Sequence, residues 1–412
     1  MRITAPILSA LVAKAYHNST NTTQAADFKN ITSTSIDTKL SSITNSWAMN
    51  DVPGSNFLEA HDMSRGSNTY IGVIDTGYYK GNDYIDYSKI IVDPSLHQLG
   101  CNSASEYGVS AHGQQVLGLI QVAAPEAKII PVNIRDCDST RNLAKREDET
   151  SVGSYQSALL YHSAIQEIVD TAVTDHGDSE KPLSIIINMS NQVTGTSCNP
   201  LLQETINFYT QDNSIHFFAA AGNGATDNVG FPAHCESVAS IGASNRTGEG
   251  AFFSNYGGFV DLYAPGEGLR TTTYKNRLKL VDGSSFATPL SSAAAALLQS
   301  YLIEHNNTLL DQGSLLSILK ATGSNIESCD RYKGECSKSI LDVKSALDYL
   351  KTRLELETPS ATSKPTQTTS TPTSLPADPA ENTSNRFKTN GLLMFAGLFS
   401  AIILPNIGQH RL

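Results

Sequence analysis

Positive charge is scarce in this chain. Lysine and arginine number 29 against 40 acidic residues, a formal net charge of −11. That balance argues against a nucleic-acid partner, which would need a basic face. Charge of either sign is thin: 17% of residues are charged and 40% hydrophobic. There is no internal repeat. The six cysteines do not fall at zinc-ligand spacings. No loop is dense enough in carboxylates to identify a calcium site. No cofactor is therefore expected; structural calcium is left open without a site. What is present is a 412-residue chain, long enough for one large domain with a sizeable core and for tails besides.

The ends differ from the middle. Met1-Arg2, an apolar stretch from Ile7 to Ala13 and the small-residue site Ala13-Lys14-Ala15 read as a signal peptide over residues 1–15. Residues 16–45 are rich in Ser, Thr and Asn and read as a flexible arm. Residues 353–390 are dense in Thr, Ser and Pro, a stalk. An apolar segment over 391–408 follows, close to the ~18–20 residues a membrane span needs. It reads as a spanning helix, or as the signal for a lipid anchor. N-x-S/T sites stand at Asn18, Asn21, Asn30, Asn245, Asn306 and Asn382; Asn188 also matches but lies in an apolar run and is expected to be buried. Together these features predict an exported protein, at a cell surface or in a periplasm, anchored at its C-terminus. An even cysteine count suits that oxidising setting.

Between the ends, over 46–352, apolar strand-like runs alternate with amphipathic stretches. Strands are predicted at Tyr70–Ile74, Ala127–Val132, Leu183–Met189, Ile215–Ala220, Ser237–Ile241 and Val260–Tyr263. Helices are predicted after His112, over about Ser154–Val173, after Ser285 and over Leu315–Lys320. Such alternation predicts an α/β fold: a mostly parallel central sheet with helices on both faces.

Three segments carry chemistry, in the order Asp, His, Ser. Tyr70-Ile71-Gly72-Val73-Ile74-Asp75-Thr76-Gly77 ends a strand on Asp75. In open α/β sheets, sites collect at that strand edge. Ser110-Ala111-His112-Gly113 opens a helix-like run, and Gly283-Ser284-Ser285-Phe286-Ala287-Thr288-Pro289 opens an Ala-rich one. A neutral serine hydroxyl needs a base to take its proton and a third group to orient that base. Proline fits a helix's first turn, which puts Ser285 at a helix N-terminus, where N–H groups favour developing negative charge. Ser284 is the rival nucleophile. A fourth segment, Phe217-Phe218-Ala219-Ala220-Ala221-Gly222-Asn223, ends on an asparagine that can donate to an oxyanion or simply form a turn.

From about Trp47 to Leu347 the chain resembles the subtilisin family of serine proteases. The resemblance rests on those segments together with Ile187-Asn188-Met189-Ser190, Gly230-Phe231-Pro232-Ala233, Tyr263-Ala264-Pro265-Gly266 and Leu341-Asp342-Val343-Lys344-Ser345-Ala346-Leu347. It implies a subtilisin-like three-layer sandwich and a serine endopeptidase acting through an acyl-enzyme on Ser285, with no cofactor in the chemistry. His112 would be the general base and then acid, Asp75 its orienter, and Asn223 the oxyanion donor. Ser190, Asn191, Gln192, Ala220, Ala221 and Gly222 would wall the S1 pocket. Gly153 and Ser154 would lie near the strand that pairs with an extended protein or peptide substrate. The resemblance also implies the disulfides Cys101–Cys137, Cys198–Cys235 and Cys329–Cys336, and a monomeric catalytic domain.

The chain departs from the family pattern beside the chemistry. Gln114-Gln115 replaces the usual Thr-His after the Gly, and Leu290-Ser291-Ser292-Ala293 follows the proline in place of His-Val-Ala-Gly. The S1 edge reads Ser190-Asn191-Gln192-Val193 where Ser-Leu-Gly-Gly is usual. A glutamine side chain is then expected to make the pocket narrower or more polar. Between Ala15 and Trp47 there is room for only about thirty residues, too few for a folded prodomain of the size many family members carry. Two other readings share the site: a catalytically impaired, protease-like binding module, and an esterase or amidase.

Overall fold

The computed structural model describes residues 43, 46–50, 53–78, 81–92, 98–100, 111–135, 151–193, 197–211, 213–273, 276–326 and 338–357. Contacts divide the chain into Met1–Pro359 and Ser360–Leu412, and every described residue belongs to the first unit. The predicted signal peptide, the membrane segment and Cys101, Cys137, Cys329 and Cys336 lie outside the described residues.

Among the described residues, the frame is a nine-stranded sheet. In chain order its strands are β1 (Tyr70–Asp75), β2 (Gln98–Gly100), β3 (Lys128–Arg135), β4 (Ile185–Met189), β5 (Ile215–Ala220), β6 (Ala239–Ser244) and β7 (Leu262–Pro265). A separate hairpin, β8 (Leu269–Thr273) with β9 (Arg277–Val281), precedes the short β10 (Ser324–Asn325) and β11 (Ser339–Ile340). The spatial order is β10-β11-β7-β6-β5-β4-β1-β3-β2, parallel except for the antiparallel β10–β11 pair. The expected mostly parallel α/β sheet is therefore observed.

The described helices include α1 (Phe57–Ala60), α2 (His112–Ala123), α3 (Ser151–His176), α4 (Pro200–Tyr209), α5 (Ser284–Asn306), α6 (Gln312–Thr322) and α7 (Val343–Glu357). Strand side chains alternate between faces, and both faces here are apolar. Ile71 and Val73 of β1, Ile186 of β4 and Phe218 of β5 enter one core with α2 and α5. Tyr70, Ile74, Ile185, Ile187 and Phe217 enter the other with α3 and α4. That is why the strands read as unbroken apolar runs: a parallel sheet is covered on both sides.

Several boundaries differ from expectation. Strand β3 runs to Arg135 and β6 to Ser244, because ladder pairing carries polar ends along with the apolar run. Helix α7 runs to Glu357, past the expected end of the domain at 352, because Leu350 is buried and Leu354 packs on the core. The stalk-like composition thus begins beyond the helix. Ile43 was expected within the flexible arm but is fully buried in the α2–α5 core, its carbonyl accepting from Ser46 N at 3.0 Å. Asn188 is buried as expected. Among the described residues, α5 is the helix long and apolar enough to cross a membrane, but its apolar stretch is buried in this core.

Candidate active site

Strands β1, β4 and β5 are neighbours; β1 ends on Asp75, and the segments leaving β4 and β5 carry Ser190–Val193 and Ala221–Asn223. After Asp75 the chain turns through Gly77, whose φ of +81° few side-chain-bearing residues adopt. Asp75 is fully buried. Its Oδ1 accepts from Thr76 N at 2.6 Å, and its two oxygens lie 2.8 and 2.9 Å from Nδ1 of His112.

His112 is the first residue of α2, and the start of that helix is pressed against the β1 turn. Gly113 N donates to Thr76 O at 2.6 Å. A Cβ on Gly113 would stand 2.7 Å from the Tyr78 ring and 2.9 Å from Thr76 O, so only glycine allows this approach. Tyr78 donates to Val73 O at 2.9 Å, and burial, with the Asp75 charge added, pushes its phenol well above the ordinary value, so it stays neutral. Burial pulls the His112 imidazole down, but the Asp75 charge and hydrogen bond raise it more, leaving it above the usual histidine value of 6.5.

Ser285 sits in the first turn of α5, which begins at Ser284 with Gly283 as its cap. Phe286 packs its ring 5.2 Å from that of His112, joining the start of α5 to the start of α2. The two adjacent serines have different surroundings. Ser284 is fully enclosed, and Ser285 retains 8% exposure. The Ser284 hydroxyl is also engaged: it accepts from Gly222 N at 3.0 Å and donates to Asn223 Oδ1 at 2.9 Å. That leaves Ser285 as the hydroxyl available for chemistry. Pro289, expected in the first turn, is the sixth helical residue counted from Ser284. Lacking an N–H, it cannot bond the carbonyl four residues back, which is that of Ser285.

Asn223 is oriented by the same serine. Its Oδ1 accepts from Ser284 N at 2.8 Å and from the Ser284 hydroxyl. Its Nδ2 therefore points the other way. A Cβ built on Gly283 would lie 3.0 Å from Ser285 Oγ and 3.4 Å from Asn223 Nδ2, so hydroxyl and amide border one small space. An anion formed there would meet an asparagine N–H and the N-terminal end of a long helix. Asn255 braces this loop: its Nδ2 donates to Ala221 O at 2.8 Å and its Oδ1 accepts from Gly224 N at 2.8 Å.

The expected pocket residues divide. Ser190 is buried and accepts from Asn188 Nδ2 at 2.9 Å, and Asn191 donates to Ile74 O at 3.0 Å. Ala220 and Ala221 are buried. Gln192 and Gly222 face each other across the gap between the two segments. Gly153 and Ser154 lie in the first turn of α3, which starts at Ser151, and not on an extended segment; the helix runs through Gly153, which placed the predicted start at Ser154. Gln114 and Gln115 are buried in α2, and Gln115 Nε2 reaches Thr273 Oγ1 at 3.3 Å. Cys198 and Cys235 form a disulfide with Cα atoms 4.8 Å apart. Sequence reasoning missed the roles of Tyr78, Ser284 and Asn255. Ser284 appeared there only as a rival nucleophile, and a lone tyrosine or asparagine carries no local signal.

A family model described as the subtilase family matches residues 66–311, more than half of the chain. The chain is 26% identical over 261 residues to a thermostable alkaline protease of Halalkalibacterium halodurans, covering 62% of this chain and 64% of that protein. It is 28% identical over 252 residues to subtilisin NAT of Bacillus subtilis subsp. natto, covering 57% of this chain and 56% of that one. Among solved structures, the prenylagaramide maturation protease PagA matches with a TM-score of 0.53 at 21% identity, over 71% of this chain and 98% of that chain. That last likeness concerns the fold.

Proposed function

The chain belongs to the subtilase family, and from that premise we propose that it is a serine endopeptidase using Ser285, His112, Asp75 and Asn223. The observation that carries this reading is the pairing of His112 Nδ1 with both oxygens of buried Asp75, at 2.8 and 2.9 Å. That contact leaves the other ring nitrogen, Nε2, to serve as base.

In this reading Ser285 Oγ attacks the carbonyl carbon of the scissile peptide bond while its proton passes to His112 Nε2. The carbonyl electron pair moves onto oxygen, where Asn223 Nδ2 and the Ser285 backbone N–H donate. The carbon–nitrogen bond then breaks, and the imidazolium gives its proton to the departing amine. Water, deprotonated by the same imidazole, hydrolyses the acyl-enzyme and restores Ser285. Every step uses side chains or backbone of this chain.

The substrate is proposed to be a protein or peptide in extended conformation. The protein is proposed to be exported, with a monomeric catalytic domain and a C-terminal membrane tail. The leader-like first fifteen residues, the apolar segment over 391–408 and the Cys198–Cys235 bond support that setting.

The test uses the purified full-length protein, a fluorophosphonate probe and a protein substrate, with Ser285→Ala beside the wild type. Wild-type labelling and proteolysis are expected, with loss of at least about 10⁴-fold in the variant. An unlabelled wild type would favour a binding module. Labelling without peptide cleavage would favour an esterase. Activity surviving in the variant would move the nucleophile elsewhere.

A further inference from the structure

One departure from the family pattern lies beside the candidate oxyanion site. Segments 190–193 and 221–223 leave adjacent parallel strands, since Met189 of β4 pairs with Ala219 of β5. Gly230–Phe231 forms the third side, held to the first by Val193 N donating to Phe231 O at 2.9 Å. Glycines stand on two of these sides, Gly222 and Gly230. Gly222 is the residue before Asn223; a Cβ on it would also stand 2.5 Å from Asn255 Nδ2, and one on Gly230 would collide with the backbone oxygen of Val193.

Gln192 lies between the two glycines. A Cβ on Gly222 would collide with Gln192 Oε1 and come within 2.8 Å of its Cδ. A Cβ on Gly230 would come within 3.0 Å of Gln192 Nε2 and 3.1 Å of its Cγ. One side chain therefore lies against both glycines. Its hydrogen bond is weak, Nε2 to Ala221 O at 3.5 Å, and the residue as a whole is exposed. Bulk more than bonding keeps it in place.

We propose that Gln192 is the specificity-determining residue of this site, closing the P1 pocket so that the enzyme cleaves after glycine, alanine or serine and rejects large P1 side chains. The inference rests on the proposed peptidase reading. A carbonyl carbon held at Ser285 and Asn223 belongs to the P1 residue. In this proposal its side chain leaves toward Gly222, the residue before Asn223, where it meets the glutamine carboxamide. A methyl or hydroxymethyl group stops short of it, whereas an aromatic ring does not.

The experiment uses the full-length protein and peptides that differ only at P1: Gly, Ala, Ser, Leu and Phe. Active sites are titrated with the fluorophosphonate, so that kcat/KM refers to competent enzyme. Wild type is expected to prefer Ala over Phe by at least about tenfold, and Gln192→Gly to raise the Phe-to-Ala ratio at least about tenfold, the scale on which pocket volume discriminates. Gln192→Ala, which keeps a side chain on the backbone, is expected to shift the ratio the same way, and serves if the glycine variant does not fold. A labelled wild type that takes Phe as readily as Ala overturns the inference and leaves the peptidase reading standing. So does an unchanged ratio in labelled variants. A wild type that takes no label overturns both.

Discussion

At the scale of single residues, His112 is pulled in two directions. Burial favours its neutral form, while the Asp75 carboxylate at 2.8 Å favours its charged form and prevails. A protonated imidazole cannot accept the Ser285 proton. Activity should therefore be low below the raised pKa, rise through it and level off above it. The expected outcome is an acid limb in kcat/KM with its midpoint above 6.5, the ordinary histidine value. A midpoint at or below that value would mean that Asp75 does not govern the base. The linked stability runs the other way. A raised folded pKa stabilises the protonated form, so this contribution is full below the unfolded value and is lost as pH rises through the folded one. The four proposed catalytic residues were legible in sequence because each lies in a motif with its own turn or helix signal. The residues that hold them, Ser284 and Asn255, were not. Their roles consist of hydrogen bonds to Asn223 and Ala221, reached across more than thirty positions of chain.

At the scale of elements, the site depends on how helices seat against the sheet. Gly72, in the middle of β1, faces α3, and a Cβ there would stand 2.7 Å from Ile168 Cδ1 and still closer to Cγ2. Ile168 is fully buried, so it has little room to yield. Gly72→Ala is expected to destabilise the fold by about 1–3 kcal/mol through overpacking, read as a fall of several degrees in Tm. An unchanged Tm would show that the β1–α3 contact is looser than described. The main strands were legible because both their faces are apolar. Strand β2, the β8–β9 hairpin and α7 went unseen. The burial pattern of β9 is mostly open, and Arg277, Lys279 and Leu280 are exposed, so its sequence lacks an apolar run. Strand β2 has three residues and exists through its pairing with β3.

At the scale of the whole molecule, the two cores lie on the two faces of the sheet, and the loops above it are joined by other means. The Cys198–Cys235 bond links the loop after Val193 to the loop after Phe231, across a sequence separation of 37. These two loops start from the Val193–Phe231 bridge, next to Gln192, which lies against Gly222 and Gly230. Replacing both cysteines by alanine is expected to lower stability by about 2–4 kcal/mol, chiefly by freeing the unfolded chain. Unfolding measured without reductant checks this. Equal stability of wild type and variant would mean that the bond contributes nothing to the fold.

The sequence by itself determined the fold class and the family resemblance, and it offered Asp75, His112, Asn223 and Ser285, with Ser284 as rival, as candidate residues. Those follow from local patterns: apolar runs of strand length, glycines at turns, and a helix start beside a serine. Only the tertiary structure decided which of two adjacent serines has a free hydroxyl, which way the Asn223 amide faces, and that Gln192 lies against Gly222 and Gly230. Each of these depends on contacts between segments distant in the chain. Residue type can say that a glutamine is large and polar, but only the packing of three loops says which space it takes.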